Sequence, residues 1–101
     1  MADSAKLATS TVQIENDVTR VTEWRFGPGE ETGWHRHELD GVVIPMTSGA
    51  LTSVEASGDK VAVDLVAGVA MDYETGWEHN VIFDGPGEFV FVEVEFKQGS
   101  F

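Results

Sequence analysis

Apolar and polar residues alternate along most of the chain in short runs that are rich in Val, Thr, Phe and Ile. Turn-forming residues separate these runs at intervals of roughly eight to twelve residues, a spacing typical of small all-β domains. No segment of useful length repeats with the helical period. The pattern predicts an all-β protein whose strands lie in residues 18–26, 34–44, 50–56, 61–66, 70–73, 77–83 and 88–97.

The first residues are small and polar and show no pattern that commits them to a helix or a strand. We expect residues 1–11 to form a flexible N-terminal arm, or an edge strand that pairs with another subunit. The remaining residues, 12–101, are enough for one domain and leave no room for a second. About eight short antiparallel strands without helices are typical of a jelly roll, which is an antiparallel double-sheet sandwich.

Composition narrows the possible chemistry. The chain has no cysteine, which excludes disulfides, thiolate nucleophiles and zinc–thiolate sites, so any metal must be bound through imidazole and oxygen. The 18 acidic residues outnumber the 6 basic ones and give a net charge of -12. That field repels nucleic-acid phosphates and anionic membrane surfaces, so we expect neither nucleic acid nor a membrane as a partner.

Location and assembly follow from the same features. The N-terminal residues lack the apolar core of a secretion signal, and no apolar run is long enough to cross a membrane. We therefore expect a soluble, cytoplasmic protein. A domain this small has a high ratio of surface to volume, which favours burial of surface between two copies. We expect a homodimer that binds a small-molecule substrate or ligand.

The 3 histidines of the chain are the main candidates for a functional site. His35 and His37 are two residues apart in a predicted strand, and side chains alternate between the faces of a strand, so both imidazoles project to one side. His79 lies on another predicted strand, from which a barrel can bring it to the same point. The alternative is that these are ordinary half-buried histidines.

Glycines at particular distances flank these histidines. Gly29 precedes His35 and Gly49 follows His37, and a second block carries Gly68, Glu74, Gly76 and His79. These spacings resemble the two sequence motifs of the cupin family, over roughly residues 18–97. The resemblance implies a cupin jelly-roll β-barrel in which His35, His37 and His79 are ligands of one metal ion. Residues 24–29, 35–40 and 89–94 also resemble very small one-barrel cupins found beside β-alanine catabolism genes.

One ligand position of the family is not filled. The first cupin motif also supplies a Glu, but Gly41 and Val42 stand at that position, and Glu38 and Asp40 fall on the opposite alternation from the histidines. Three neutral imidazoles leave about two or three positions open for water, oxygen or substrate. The pattern resembles the three-histidine cupins, which include acetylacetone-type and thiol dioxygenases. It implies one divalent transition metal per chain, with Fe(II) favoured and Zn, Ni, Mn or Cu as alternatives.

Two further residues are candidates for catalysis or substrate binding. Tyr73 offers a hydroxyl to a bound substrate, although a buried tyrosine often has only to satisfy that hydroxyl. Arg25 offers a bidentate pair to a substrate carboxylate, although a surface ion pair is the plainer interpretation.

Other residues are assigned to the walls of the barrel. Trp77 shares the alternation of His79 and either lines the cavity or packs in the core, and Met46 and Phe91 are interpreted as cavity or core residues. A carboxylate could act as general base, but the pattern does not choose among the acidic candidates Glu30, Glu31, Asp72, Glu78 and Glu93.

Three functions are consistent with this pattern. The favoured one is a metal-dependent, dioxygenase-like enzyme that acts on a small organic substrate. The second is a non-redox isomerase, lyase or hydrolase whose metal acts as a Lewis acid, which requires a nearby proton acceptor. The third is a non-catalytic module that binds a small ligand or a metal. The pattern leaves the physiological metal and the substrate open.

Overall fold

The structure, a computed structural model, describes residues 6–97 of the chain. Those residues form nine β-strands and no helix, which confirms the all-β prediction. The strands are β1 (Thr9–Glu15), β2 (Thr19–Phe26), β3 (His35–Arg36), β4 (Asp40–Pro45), β5 (Gly49–Glu55), β6 (Lys60–Leu65), β7 (Met71–Tyr73), β8 (Glu78–Ile82) and β9 (Phe89–Phe96).

The strands make two sheets. One has five strands in the order β1-β2-β9-β4-β7, and the other has four in the order β3-β8-β5-β6. The strand pairs are antiparallel, and the hydrophobic core takes side chains from both sheets. This arrangement confirms the predicted antiparallel double-sheet sandwich. Within residues 6–97, no helix is long and apolar enough to span a membrane.

The predicted strand over residues 34–44 is two strands in different sheets. β3 pairs with β8 in the four-stranded sheet, whereas β4 pairs with β7 and β9 in the five-stranded sheet. Backbone bonds from His37 N to Trp77 O and from Gly76 N to His37 O hold the chain where it crosses between the sheets.

The last residues of the predicted arm lie in a strand. β1 begins at Thr9 and pairs with β2 of the same chain, so residues 9–11 belong to the five-stranded sheet. Every residue of β1 is exposed. Residues 1–5 of the predicted arm lie outside the described part of the chain.

The sandwich has an apolar end and a polar end. On β9 the inward side chains change from Phe89 and Phe91 to Glu93 and Glu95, all of them buried. Phe26, which lies opposite Phe89 in the pairing of β2 with β9, is completely buried. Burying each such side chain contributes about 1.5–3 kcal/mol. The packed phenylalanines close one end and leave the other for polar groups.

Two expectations about apolar side chains have opposite outcomes. Phe91 is buried in the core cluster, as predicted. Met46 is 57% exposed, so its assignment to the core or cavity is wrong. The preceding Pro45 is among the fully buried residues, and strand alternation then directs the next side chain to solvent.

Candidate metal centre

The three histidines converge in space. β3 and β8 pair with His35 directly opposite His79, and His37 follows β3 by one residue. The Nε2 atoms of His35 and His37 are 3.2 Å apart, and those of His37 and His79 are 3.0 Å apart. His37 and His79 are buried, and His35 is half-buried. The three rings form a group whose nitrogens can hold a single metal ion.

Each ring also faces a polar partner through its other nitrogen. Nδ1 of His35 lies 3.0 Å from the Gly33 carbonyl oxygen, and Nδ1 of His79 lies 2.7 Å from the Ser53 hydroxyl oxygen. Ser53 donates its own proton to Glu55, so its oxygen accepts a proton from His79. These two rings therefore carry hydrogen on Nδ1 and present the lone pair of Nε2 to the centre.

His37 faces a buried carboxylate. Its Nδ1 lies 3.6 Å from Oε2 of Glu93, which is too long for a hydrogen bond. Burial in the first place, and the charge of His35 in the second, lower the pKa of both His37 and His79 to about 4. Both rings are neutral at pH 7, as ligands of a metal must be.

The spacing of the nitrogens fits a metal ion. Neutral nitrogens that direct lone pairs at one another across 3.0–3.2 Å repel unless a proton or a cation lies between them. Metal–imidazole bonds are about 2.1 Å long, so two ligand nitrogens at right angles around one ion are about 3.0 Å apart. The donor set therefore suits a transition metal.

Two carboxylates supply negative charge behind the imidazoles. Glu55 accepts bonds from Ser53 and from Nε1 of Trp77, the latter at 3.0 Å. Glu93 accepts bonds from the Tyr73 hydroxyl and from Nε1 of Trp24, the latter at 3.2 Å. Burial, before any other cause, raises the pKa of Glu93. Carboxylates in this position orient imidazole ligands and increase their basicity.

Gly41 stands at the position of the missing carboxylate ligand, and its lack of a side chain leaves room for Tyr73. A Cβ atom added at Gly41 would lie 2.6 Å from Cζ of Tyr73 and 2.8 Å from the Val94 carbonyl oxygen. The Tyr73 ring thus fills the space that a side chain at residue 41 would need. It also lies against His37, with ring centroids 4.1 Å apart. The structure places the predicted candidate Tyr73 at the histidine cluster.

A cavity of about 500 Å³ adjoins the histidines. Its walls include Trp77, whose ring centroid lies 3.8 Å from that of His79, so this side chain lines the cavity. The apolar lining includes Val12, Trp24, Val43, Leu51, Val63, Leu65, Met71, Val81 and Phe91. A cavity of this size and character can take a small organic molecule.

Arg25 is not part of this site. Its side chain is exposed and forms ion pairs with Glu88 and Glu23, which is the surface interpretation that the sequence favoured. Arg20, five residues earlier on the same strand, lines the cavity instead. Arg20 shares its alternation with the inward residues Trp24 and Phe26, and that signal could have identified it.

The structure also separates the acidic candidates. Glu93 lies in the cavity wall beside His37. Glu30 and Glu31 accept bonds from Gly27 N and from the Asn80 side chain, respectively, and Asp72 and Glu78 are exposed. Of the five candidates, Glu93 is the one that lines the cavity.

No family model matches the chain, but individual relatives identify its family. The chain is 52% identical over 90 residues to the beta-alanine degradation protein BauB of Pseudomonas aeruginosa, which covers 89% of this chain and 94% of that protein. A cupin domain from Bordetella pertussis is 50% identical with a TM-score of 0.89, covering 95% of this chain and 99% of that one.

A more distant likeness shows the fold alone. A double-stranded β-helix domain from Klebsiella pneumoniae is 23% identical, with a TM-score of 0.75 over 99% of this chain and 85% of that one. The close relatives, the antiparallel sandwich and the clustered histidines agree with one another. The chain therefore belongs to the cupins, among the small single-barrel members related to BauB.

Proposed function

We propose that the protein binds one divalent transition metal through His35, His37 and His79, and that it is an Fe(II)-dependent, dioxygenase-like enzyme. The observation that carries this proposal is the convergence of the three Nε2 atoms, two pairs of which are 3.0 and 3.2 Å apart. Protein groups bind the opposite nitrogens of His35 and His79, so the lone pairs of these two rings are already directed at one point.

The residues around the centre have different roles in this proposal. Fe(II) held there would supply the redox chemistry by which an organic substrate reduces O2. The three imidazoles would hold the ion, and Tyr73 and Glu93 border the cavity beside them. The apolar walls exclude water and position the substrate. Because a relative is named for β-alanine degradation, we propose that the substrate is a small molecule of that metabolism.

A second function is favoured by one observation. Non-redox chemistry with Zn, Mn or Ni needs a proton acceptor near the metal, and Glu93 lies in the cavity wall with a hydrogen bond from Tyr73. This pair can take a proton from a substrate and return it to another atom, as isomerisation or elimination requires. The choice between the two functions depends on whether O2 is consumed.

Elemental analysis of protein purified without added metal tests the centre. We expect near one metal per chain in the wild type and severe loss in His35→Ala and His79→Ala, because each variant removes one of three protein ligands. Glu78→Gln, next to His79 but exposed, is the matched control and should keep its metal. Full metal content in His79→Ala would overturn the three-ligand proposal.

An oxygen electrode then separates the two functions. Protein loaded anaerobically with Fe(II) is mixed with diketone, thiol and catechol substrates in air-saturated buffer. Uptake of O2 that requires both substrate and metal supports the oxygenase. Turnover without O2 uptake supports the non-redox enzyme, and tight binding without any turnover supports a binding module.

A further inference from the structure

Arg20 is the arginine that β2 directs into the sandwich. It lies opposite Glu95 in the pairing of β2 with β9, and both side chains line the cavity. The Arg20 side chain is 37% exposed, and that of Glu95 is 12% exposed. The guanidinium is therefore at the polar end of the cavity and accessible from it.

Glu95 occupies only one edge of this guanidinium. Nε of Arg20 donates to Oε1 of Glu95 at 2.8 Å, and Nη2 donates to Oε2 at 3.2 Å. A guanidinium has five N–H donors, and its second edge, formed by Nη1 and Nη2, matches a carboxylate in bidentate geometry. Neither bond to Glu95 uses Nη1. Glu95 thus fixes the orientation of Arg20 while leaving the carboxylate-binding edge free.

The other charges that face Arg20 are already paired. Glu15 and Glu93 both favour its charged form. Glu15 forms an ion pair with Lys97, and Glu93 accepts bonds from Tyr73 and Trp24. An incoming carboxylate therefore meets the free edge of Arg20 next to carboxylates that have other partners.

The distance from Arg20 to the histidines limits the length of a ligand that can reach both. Glu95 and Glu93 are two residues apart on β9, roughly 7 Å along the strand. Oε2 of Glu93 lies 3.6 Å from Nδ1 of His37, so Arg20 lies about one such step beyond the carboxylate that faces the histidine cluster. A molecule with only a few atoms between its carboxylate and a metal-binding oxygen, nitrogen or sulfur can reach both.

We infer that Arg20 is the carboxylate-binding subsite of the cavity and that the substrate is a small carboxylic acid with a second donor group for the histidine centre. The inference rests on the proposed function for that second contact. The Arg20 contact itself is made by the chain alone and is measurable whether or not a metal is bound.

Binding of acetoacetate and acetoacetamide tests the subsite. The two molecules have nearly the same shape and share the 3-oxo group, but only acetoacetate carries a carboxylate. Trp24 and Trp77 line the cavity, so quenching of their fluorescence reports dissociation constants. We expect the wild type to bind acetoacetate at least about tenfold more tightly, the effect of a charge-assisted bidentate pair.

Four variants test whether Arg20 causes that preference. Arg20→Gln should abolish it, and Arg20→Gln/Glu95→Gln should abolish it too, although this double variant has the net charge of the wild type and leaves no unpaired Glu95. Arg25→Gln removes a charge from the outer face of the same strand and should keep the preference. Arg20→Lys keeps the charge without the bidentate geometry of the guanidinium and should retain only part of the preference. Thermal unfolding checks that each variant is folded.

The outcomes separate this inference from the proposed function. A wild type that does not prefer acetoacetate, or a double variant that retains the preference, overturns the Arg20 subsite even if the protein binds metal and consumes O2. A preference that persists in metal-free wild type and disappears in the double variant supports the subsite even if elemental analysis finds no metal.

Discussion

Glu55 reaches the imidazole of His79 through the hydroxyl of Ser53, whose oxygen lies 2.7 Å from Nδ1. The relay joins β5 to β8, which are neighbours in the four-stranded sheet. It directs the lone pair of His79 towards the other two histidines, so the ring does not have to reorient when a metal binds.

Ser53→Ala tests this relay. The variant removes the acceptor of the Nδ1 proton, and we expect affinity for a divalent metal to fall about 10–100-fold, as is usual when the partner of a ligand histidine is removed. Competition with a chelator of known affinity measures the change. Ser57→Ala, at an exposed turn, is the control. Equal affinities in the two variants would show that the relay does not support the centre.

Gly41→Ala should destabilise the protein. The new methyl group would overlap the Tyr73 ring and the Val94 carbonyl, and an overpacked site costs about 1–3 kcal/mol. Urea unfolding measures the loss of free energy. The nearest atom to a Cβ added at Gly27 would be in the Glu30 side chain, at 3.4 Å. Gly27→Ala should therefore lower the free energy of unfolding much less. A Gly41→Ala protein as stable as Gly27→Ala would contradict this packing.

Stability of the metal-free protein should fall in mild acid. In the folded chain His37 and His79 stay neutral down to about pH 4, whereas in the unfolded chain they bind protons below their ordinary pKa of 6.5. The contribution of these two neutral histidines to the free energy of unfolding is fully present above pH 6.5 and is lost as the pH falls towards 4. Urea unfolding at several pH values should show a shallower decline for His79→Gln than for the wild type. Identical slopes would exclude this linkage.

Tyr73→Phe separates binding from turnover. The ring and its packing on His37 remain, so we expect unchanged metal content by elemental analysis. Loss of the hydroxyl removes the proton donor beside Glu93 and should lower the rate of substrate-dependent O2 uptake at least about tenfold. The exposed Trp34→Phe variant should match the wild type in both measurements. A fully active Tyr73→Phe enzyme would restrict Tyr73 to a packing role.

The homodimer stays a prediction. A chain of 11.0 kDa has much surface for its volume and gains stability when two copies bury part of it. Light scattering coupled to size exclusion should give a mass twice that of the chain at micromolar concentration. The mass of a single chain, unchanged on concentration, would exclude the dimer.

The sequence by itself determined the local features of this protein. Period-2 alternation and turn residues specified an all-β chain, because a strand records in its own residues which face is buried. The H-x-H spacing placed His35 and His37 on one side, and the motif resemblance added His79 as their partner. The absence of cysteine limited metal ligands to imidazole and oxygen.

Only the tertiary structure decided what surrounds the histidines. Alternation places Arg20 and Arg25 on opposite faces of one strand, but only the fold shows that Arg20 meets Glu95 and that Arg25 pairs with Glu88. Glu55 and Glu93 come from different strands and sheets and reach the imidazoles only after folding. Such groups meet through pairing between distant segments, and local alternation carries no information about which segments pair or where the chain crosses between sheets.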